Sequence, residues 1–299
     1  MKVFVTGATG FIGSYVVKEL QKNRNHEVWG LARSDIAAEK LEKQGIKVVR
    51  GSLEDTDILH KAAKESDGVI HLGYIHDFND KEFKFAKVDE NAIRAMCSAL
   101  EGSNKPFIGT SGLLGVGGPD SDSALETDRA AGFRQVSEDV LHSFAVKGVR
   151  TVVIRPSPIV HGKGDHMFLP FLIDNAKQKG YAGYLGQGSN QWTGVHVKDL
   201  AVLYRLALEK ESVKGGSTLH GVDRDNEGIT MKELATSISK HLNIPLKSLN
   251  DEEGQEYFGW MYWFMTQDSR PGTKITLELT GWERKENTLK EDLESGVYF

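Results

Sequence analysis

The stretch TGATGFIG, residues 6–13, follows a short apolar run, KVFVT (2–6), and opens a segment with helical periodicity. Its glycines, Gly7, Gly10 and Gly13, have the spacing G-x-x-G-x-x-G. Glycines so placed permit a tight turn, close approach of the backbone to a pyrophosphate, and close packing of helix on strand. A helix that starts there offers free N–H groups and the positive end of its dipole to phosphates. A glycine pattern alone is weak, but in the first strand–turn–helix of the chain it points to a dinucleotide-binding loop.

The segments around this loop agree with it. KVFVT (2–6), HEVWGLA (26–32), KVVRG (47–51), GVIHLG (68–73), KPFIGTS (105–111) and VRTVVIRP (149–156) read as strands. Phe11 to Lys22, Ile36 to Gln44, Asp55 to Glu65, Lys81 to Leu100 and Ser123 to Lys147 read as helices between them. Such alternation predicts a parallel sheet with right-handed crossovers and helices on both faces, a Rossmann-type doubly wound α/β fold. The strands are apolar on both sides, as a sheet buried twice requires.

After Pro156 the alternation loosens. HGKGDH (161–166) and the glycine-rich GYAGYLGQGSNQW (180–192) precede a helix, VKDLAVLYRLALEK, and a strand, STLHGV. A second helix, TMKELATSISKHL, and an aromatic segment, EYFGWMYWFM (256–265), follow. The expected organisation is a dinucleotide-binding domain over 1–156 and a smaller lobe over 157–299. That lobe supplies the substrate side of a cleft, with some of its segments returning to the main sheet.

With 39% hydrophobic and 26% charged residues among 299, the chain has ample apolar material for a core. A formal net charge of −5 and scattered basic residues argue against nucleic acid or an anionic membrane as partner. The single cysteine, Cys97, sits in a helix-like stretch and reads as a small core residue, which excludes a disulfide framework. No apolar run approaches the roughly 20 residues of a membrane span. The chain opens directly on a strand, so no signal peptide is expected and the cytosol is the expected compartment.

The second strand selects the dinucleotide. An NAD site usually ends it with an acid for the ribose 2′-hydroxyl. Here the strand ends GLARSD, with Arg33 and Ser34 at that place and Asp35 beside them. A guanidinium suits a 2′-phosphate through charge-assisted hydrogen bonds, so NADP(H) is expected over NAD.

TGATGFIG, GSL (51–53), HLG (71–73), TSG (110–112), RPSPIVHGKGD (155–165) and GVHVKDLA (194–201) occur in that order. Together they resemble the extended or atypical short-chain dehydrogenase/reductase superfamily over nearly the whole chain. FGW (258–260), LTGW (279–282) and the final DLESGVYF resemble an atypical, epimerase- or reductase-like branch of it. The resemblance implies that Gly7, Thr9, Gly10, Phe11 and Ile12 line the pyrophosphate and that Arg33 takes the adenosine phosphate. Ser52 and Leu53 stand beside the adenine, where the family usually has Asp-Leu. Leu72 and Gly73 lie under the ribose, and the backbone of Arg155, Pro156 and Ser157 orients the nicotinamide carboxamide. Val195 to Asp199 resemble a loop near the substrate mouth, with Asp199 equally readable as a helix cap. Ser111 matches the family's catalytic serine, at the carboxyl end of a strand.

The family's Tyr-x-x-x-Lys is missing. None of the eight tyrosines has a lysine four residues on. In FRQVSEDVLHSFAVKGV (133–149), counting back from Gly148 puts Phe133 at the tyrosine position and Ser137 at the lysine position. A shift of one residue gives Arg134 and Glu138, which does not restore the pair. Three readings follow. A reductase can keep turnover with a substituted proton donor, since losing a general acid costs about 10²–10⁴-fold. Ser111 then assists hydride transfer, with Tyr74, His76, His161 or His166 near the cleft. No carboxylate or thiol cluster accompanies these histidines, so no metal site is expected. Alternatively the protein is a noncatalytic NADP-binding sensor or regulatory protein. A sugar-nucleotide epimerase or dehydratase needs a tyrosinate-like base, and the loss weighs more against that reading.

The aromatic segment reads as a core helix or a dimer face, or in part as a pocket wall for an apolar substrate, with Trp260 its candidate. Trp192 is the candidate rim residue of a mobile glycine-rich cover. The expectation is NADPH-dependent reduction of a small apolar or aromatic aldehyde or ketone by a monomer or homodimer. Ser111, Tyr74 and His161 are its catalytic candidates, and His76, Trp192 and Trp260 face the substrate.

Overall fold

The computed structural model describes residues 1–22, 26–76, 80, 82–116, 124–129, 132–223 and 228–299, with Phe133 in its backbone alone. In the first strand, β1 (Lys2–Thr6), Val3 and Val5 pack into one apolar layer and Phe4 into the opposite one, all wholly buried. A strand buried on both faces needs cover on both. The chain supplies it by alternation: α1 (Phe11–Lys22), β2 (Glu27–Ala32), α2 (Asp35–Glu42), β3 (Lys47–Arg50), α3 (Thr56–Lys64), β4 (Gly68–His71), α4 (Lys84–Ser98), β5 (Pro106–Thr110), α5 (Phe133–Ala145) and β6 (Arg150–Pro156).

The second half contributes β7 (Ile159–His161), α6 (Phe168–Lys179), β8 (Ala182–Leu185), β9 (Gln191–Trp192), β10 (Gly194–His196), α7 (Val197–Glu209) and β11 (Ser217–Gly221). It continues with β12 (Ile229–Thr230), α8 (Met231–Leu242), β13 (Leu246–Leu249), α9 (Asp251–Phe258), a 3₁₀ turn, α10 (Tyr262–Met265), α11 (Lys274–Thr280) and α12 (Leu289–Glu294). Seven strands form one parallel sheet in the order β11-β6-β5-β4-β1-β2-β3, so β11 crosses back to its edge. This is the Rossmann-type doubly wound α/β fold.

On one face α1 and α7 bury Val16, Leu20, Leu200 and Tyr204. On the other, α3, α4 and α5 bury Leu59, Met96, Cys97, Leu141 and Phe144. A further core gathers α6, α8, α9 and the short strands around Leu169, Trp192, Leu234 and Phe258. Among the described residues no helix is long and apolar enough to cross a membrane.

Two expected helices begin later than their periodicity suggests. The one expected from Lys81 starts at Lys84, after Phe83 with φ 52°. The one expected from Ser123 starts at Phe133, after Gly132 with φ +62°. Ala124 is held extended by bonding to Arg270 O at 2.8 Å and by Gly272 N at 2.9 Å, so it cannot join a helix. Lys81 and Ser123 themselves lie outside the described residues. The glycine-rich stretch expected as a mobile cover is instead paired. β8 joins β13 and β9 joins β12. Trp192 is fully buried, its indole N–H donating to Gln267 O at 3.2 Å.

Candidate active site

The carboxyl ends of β1, β2, β4, β5 and β6 open into a cleft of about 850 Å³. Gly7, Thr9, Gly10, Phe11 and Ile12 line its floor. Gly7 has φ +69°, and a Cβ on it would come within 2.7 Å of Gly73 N. A Cβ on Gly13 would stand 2.0 Å from Gly7 O. The two glycines therefore let the β1–α1 turn pass against β4 and let α1 start directly on the turn. A Cβ at either position would meet backbone and force the turn apart, so the glycines keep a tight turn that a dinucleotide fits.

At one end of the cleft stand Arg33, Ser34, Ile36, Lys40, Ser52, Leu53 and Glu54. Ser34 caps α2 by accepting from Ala37 N at 3.2 Å. Asp35 is engaged by Arg50 at 2.9 Å, and Lys40 donates to Thr9 O at 2.9 Å. Arg33 is exposed and has no carboxylate partner among the described residues. The Ser52 amide and hydroxyl both donate to Asp55 Oδ2, at 2.7 and 2.8 Å. Those two bonds hold the Asp55 carboxyl below its ordinary range.

At the other end, Thr110, Ser111, Leu113 and Leu114 leave β5 along the wall, with Leu72, Gly73, Pro156 and Ser157 beside them. Ser111 is 7% exposed and its Oγ has no hydrogen-bond partner among the described residues. A buried hydroxyl left so is costly, and a ligand atom in the cleft can satisfy it. Tyr74 and His76 lie on the same wall, their rings edge to face at 5.3 Å. The Arg134 guanidinium covers the Tyr74 ring at 3.5 Å. Burial pushes the Tyr74 phenol up to about 12, against the pull of Arg134. Burial, helped by Arg134 and His166, pushes the His76 imidazole down to about 4.

Arg134 is the cleft residue that sequence reasoning passed over. Its signal was a cation directly after the expected tyrosine position. Ser137, at the expected lysine position, is buried and donates to Asp89 Oδ2 at 2.5 Å. Asp89 Oδ1 meets His71 Nε2 at 3.0 Å, and His71 Nδ1 meets Thr6 Oγ1 at 2.7 Å. Thr6 Oγ1 accepts from Gly73 N at 3.0 Å, so the chain of contacts ends under the cleft floor. The loop after β7 completes the wall with Asp165, His166 and Met167. It is held by Tyr15, donating to Lys163 O at 2.8 Å, and by Tyr298, donating to Asp165 at 3.1 Å. Tyr298 was not anticipated.

Three candidate residues lie elsewhere, and so does the side chain of Arg155, whose backbone alone is expected at the nicotinamide. The Arg155 side chain is buried against Glu138, at 2.9 and 2.6 Å, and Asp128 O, at 2.7 Å. These partners hold it away from the cleft that Pro156 and Ser157 line. His161 is fully buried, its Nδ1 2.7 Å from Asp292 Oδ2, so it does not reach the cleft. Trp192 lies in the further core, not on a rim. Trp260 packs on Phe168 and Phe171, and Trp263 and Phe264 take the wall instead. Nor does any residue from Val195 to Asp199 line the cleft. Asp199 accepts from Lys285 N and Glu286 N, both at 3.0 Å.

A parallel sheet with a glycine turn and a cleft at its carboxyl edge defines a nucleotide-binding α/β protein. The chain belongs to the NAD dependent epimerase/dehydratase family, whose model matches residues 3–220. It is 42% identical to an uncharacterized protein of Saccharomyces cerevisiae over 98% of each chain. It is 27% identical to a sterol-4-alpha-carboxylate 3-dehydrogenase, decarboxylating, of Dictyostelium discoideum, over 70% of this chain and 67% of that one. Its fold matches that of a UDP-glucuronic acid 4-epimerase from Bacillus cereus with a TM-score of 0.77 at 18% identity, over 98% and 97% of the chains. NAD(P)-dependent oxidoreductases and epimerases are the enzymes of this family.

Proposed function

We propose that the protein is an NADPH-dependent reductase of a small apolar or aromatic aldehyde or ketone. The observation that carries this reading is Ser111 Oγ, buried and without a partner among the described residues, in the wall of a cleft whose far end fits a dinucleotide. The dehydrogenase name of the Dictyostelium relative supports redox chemistry.

Gly7, Thr9, Gly10, Phe11 and Ile12, with the dipole of α1, hold the pyrophosphate. Leu72 and Gly73 hold the ribose, Ser52 and Leu53 the adenine edge, and Pro156 and Ser157 the nicotinamide end. Arg33, Ser34 and Lys40 favour a 2′-phosphate, and Arg50 offsets the Asp35 charge that opposes one. When bound, NADPH supplies a hydride. Ser111 donates to the carbonyl oxygen and stabilises the negative charge that grows there. As the carbonyl carbon is reduced and its π pair moves onto oxygen, Tyr74 would give that oxygen a proton. The phenolate left on Tyr74 would be reprotonated by solvent. At about 12 the phenol is protonated at neutral pH, and an alkoxide is basic enough to take its proton. Phe168, Trp263 and Phe264 keep water from the reacting atoms.

The same values disfavour an epimerase, since neither this phenol nor an imidazole near 4 is an effective base at neutral pH. A noncatalytic NADP binder is the second reading, favoured by Phe133 and Ser137 in place of the family's pair. Fluorescence titration with NADPH and NADH, followed by nicotinamide absorbance against a panel of aromatic and aliphatic carbonyls, separates the two. Tighter NADPH binding with oxidation by an aromatic carbonyl is the expected result. Tight binding with no oxidation by any carbonyl replaces the reductase with the binder.

A further inference from the structure

Arg134 lines the cleft without a carboxylate at ion-pair distance among the described residues. Its polar contact is a long one, Nη1 to Thr110 O at 3.4 Å. Other sheltered arginines of this fold are treated differently. Arg155 is clamped by Glu138, Arg205 pairs with Glu19 and Glu209, and Arg150 donates to four backbone carbonyls. Among the described residues, the acids in and beneath the cleft are already committed or remote. Asp89 is bonded on both oxygens by His71 and Ser137. Asp165 accepts from Met167 N and Tyr298, and burial pushes its carboxyl above the ordinary range. Glu54 lies at the adenosine end.

We infer that Arg134 is the anion site for the substrate, and that the substrate is an oxo acid with its carboxylate one or two carbons from the reducible carbonyl. This rests on the reductase reading and names its substrate class. The guanidinium contacts the carbonyl of Thr110, the residue before Ser111, so the carboxylate site and the oxo site are neighbours. The guanidinium carbon lies 3.5 Å from the Tyr74 ring centre, and arginine N–H groups recognise a planar carboxylate with two parallel bonds. The apolar body of the substrate lies against Phe168, Trp263 and Phe264.

The test is calorimetric binding of benzoylformate and of its uncharged methyl ester to the protein saturated with NADP⁺. The native chain should bind the acid roughly 10–100-fold more tightly than the ester, the scale of one charge-assisted interaction. Arg134→Gln should remove that ratio by weakening the acid alone, with ester and NADP⁺ affinities within about threefold, and Arg134→Lys should restore part of it. Equal affinity for acid and ester, or no binding of either, overturns the inference. So does an Arg134→Gln variant that loses NADP⁺ instead, which assigns the guanidinium to the dinucleotide. If the ratio holds while NADPH reduces neither compound, the anion site stands and the reductase reading falls.

Discussion

Ser137 donates its hydroxyl hydrogen bond to Asp89 at 2.5 Å, joining α5 to α4 beneath the cleft. A lysine at this position would carry its ammonium toward the reacting atoms, whereas the serine turns to a buried carboxylate. The contact is therefore structural. Ser137→Ala should cost about 1.5–3 kcal/mol, the worth of a hydrogen bond to a charged group, measured by urea unfolding. A loss below 0.5 kcal/mol, about the scale of a surface change, contradicts that role.

The same carboxylate sets an acid limit. Burial acts to raise the pKa of Asp89, but the His71 hydrogen bond and charge, Arg134 and Ser137 together bring it below its ordinary 3.8. A depressed folded pKa gives stability that is present above the unfolded value and lost as pH falls through the folded one. Stability should decline as pH drops below about 3.8, and less steeply in Asp89→Asn. Unfolding curves at pH 6 and pH 3 compare the two, and parallel declines refute the assignment.

Ser111→Ala separates function from stability. Removing an oxyanion donor costs about 10²–10³-fold in turnover. Because Oγ has no partner among the described residues, its removal should leave the melting temperature unchanged or raised. Steady-state kinetics and calorimetry on one preparation decide this, and a variant that melts early with full turnover contradicts it.

If Arg33 takes a 2′-phosphate as proposed, Arg33→Ala should weaken NADPH by roughly 10–100-fold and NADH by less than about threefold. Fluorescence titration of both dinucleotides measures the ratio. Equal losses assign Arg33 elsewhere.

With Tyr74 pushed up to about 12 and His76 down to about 4, neither group changes charge between pH 6 and 9. The kcat/KM for an uncharged carbonyl should be flat across that range. A limb with its midpoint between about 6 and 8 would point to a different proton donor.

Arg155→Leu leaves Glu138 buried without its cation, and should cost about 3–5 kcal/mol in unfolding free energy. Adding Glu138→Leu should return most of it, because the buried charge then goes too. A double variant as unstable as the single one refutes the clamp.

Repeating local patterns made most of the fold legible. Apolar runs of strand length alternate with helical segments, which is enough for a doubly wound sheet, and the spacing of Gly7, Gly10 and Gly13 marks the phosphate turn. Gly7 and Gly13 are needed by contacts within one turn and its neighbouring strand, so their reason is short-range. Helix ends were less legible, because Ala124 is pinned by Arg270 and Gly272, far along the chain.

The sequence by itself determined the α/β architecture, the turn at residues 6–13, the position of Ser111 at the end of β5, and the absence of Tyr-x-x-x-Lys. Only the tertiary structure decided which side chains face the cleft. His161 turns to Asp292, 131 residues away, and Arg155 to Glu138. Trp192 is buried and Trp260 sits outside the cleft while Trp263 and Phe264 form the wall, and Arg134 emerges as a cation over Tyr74. Backbone periodicity comes from neighbours in sequence. The direction of a polar side chain comes from whichever distant group satisfies it, and that pairing exists only once the chain has folded.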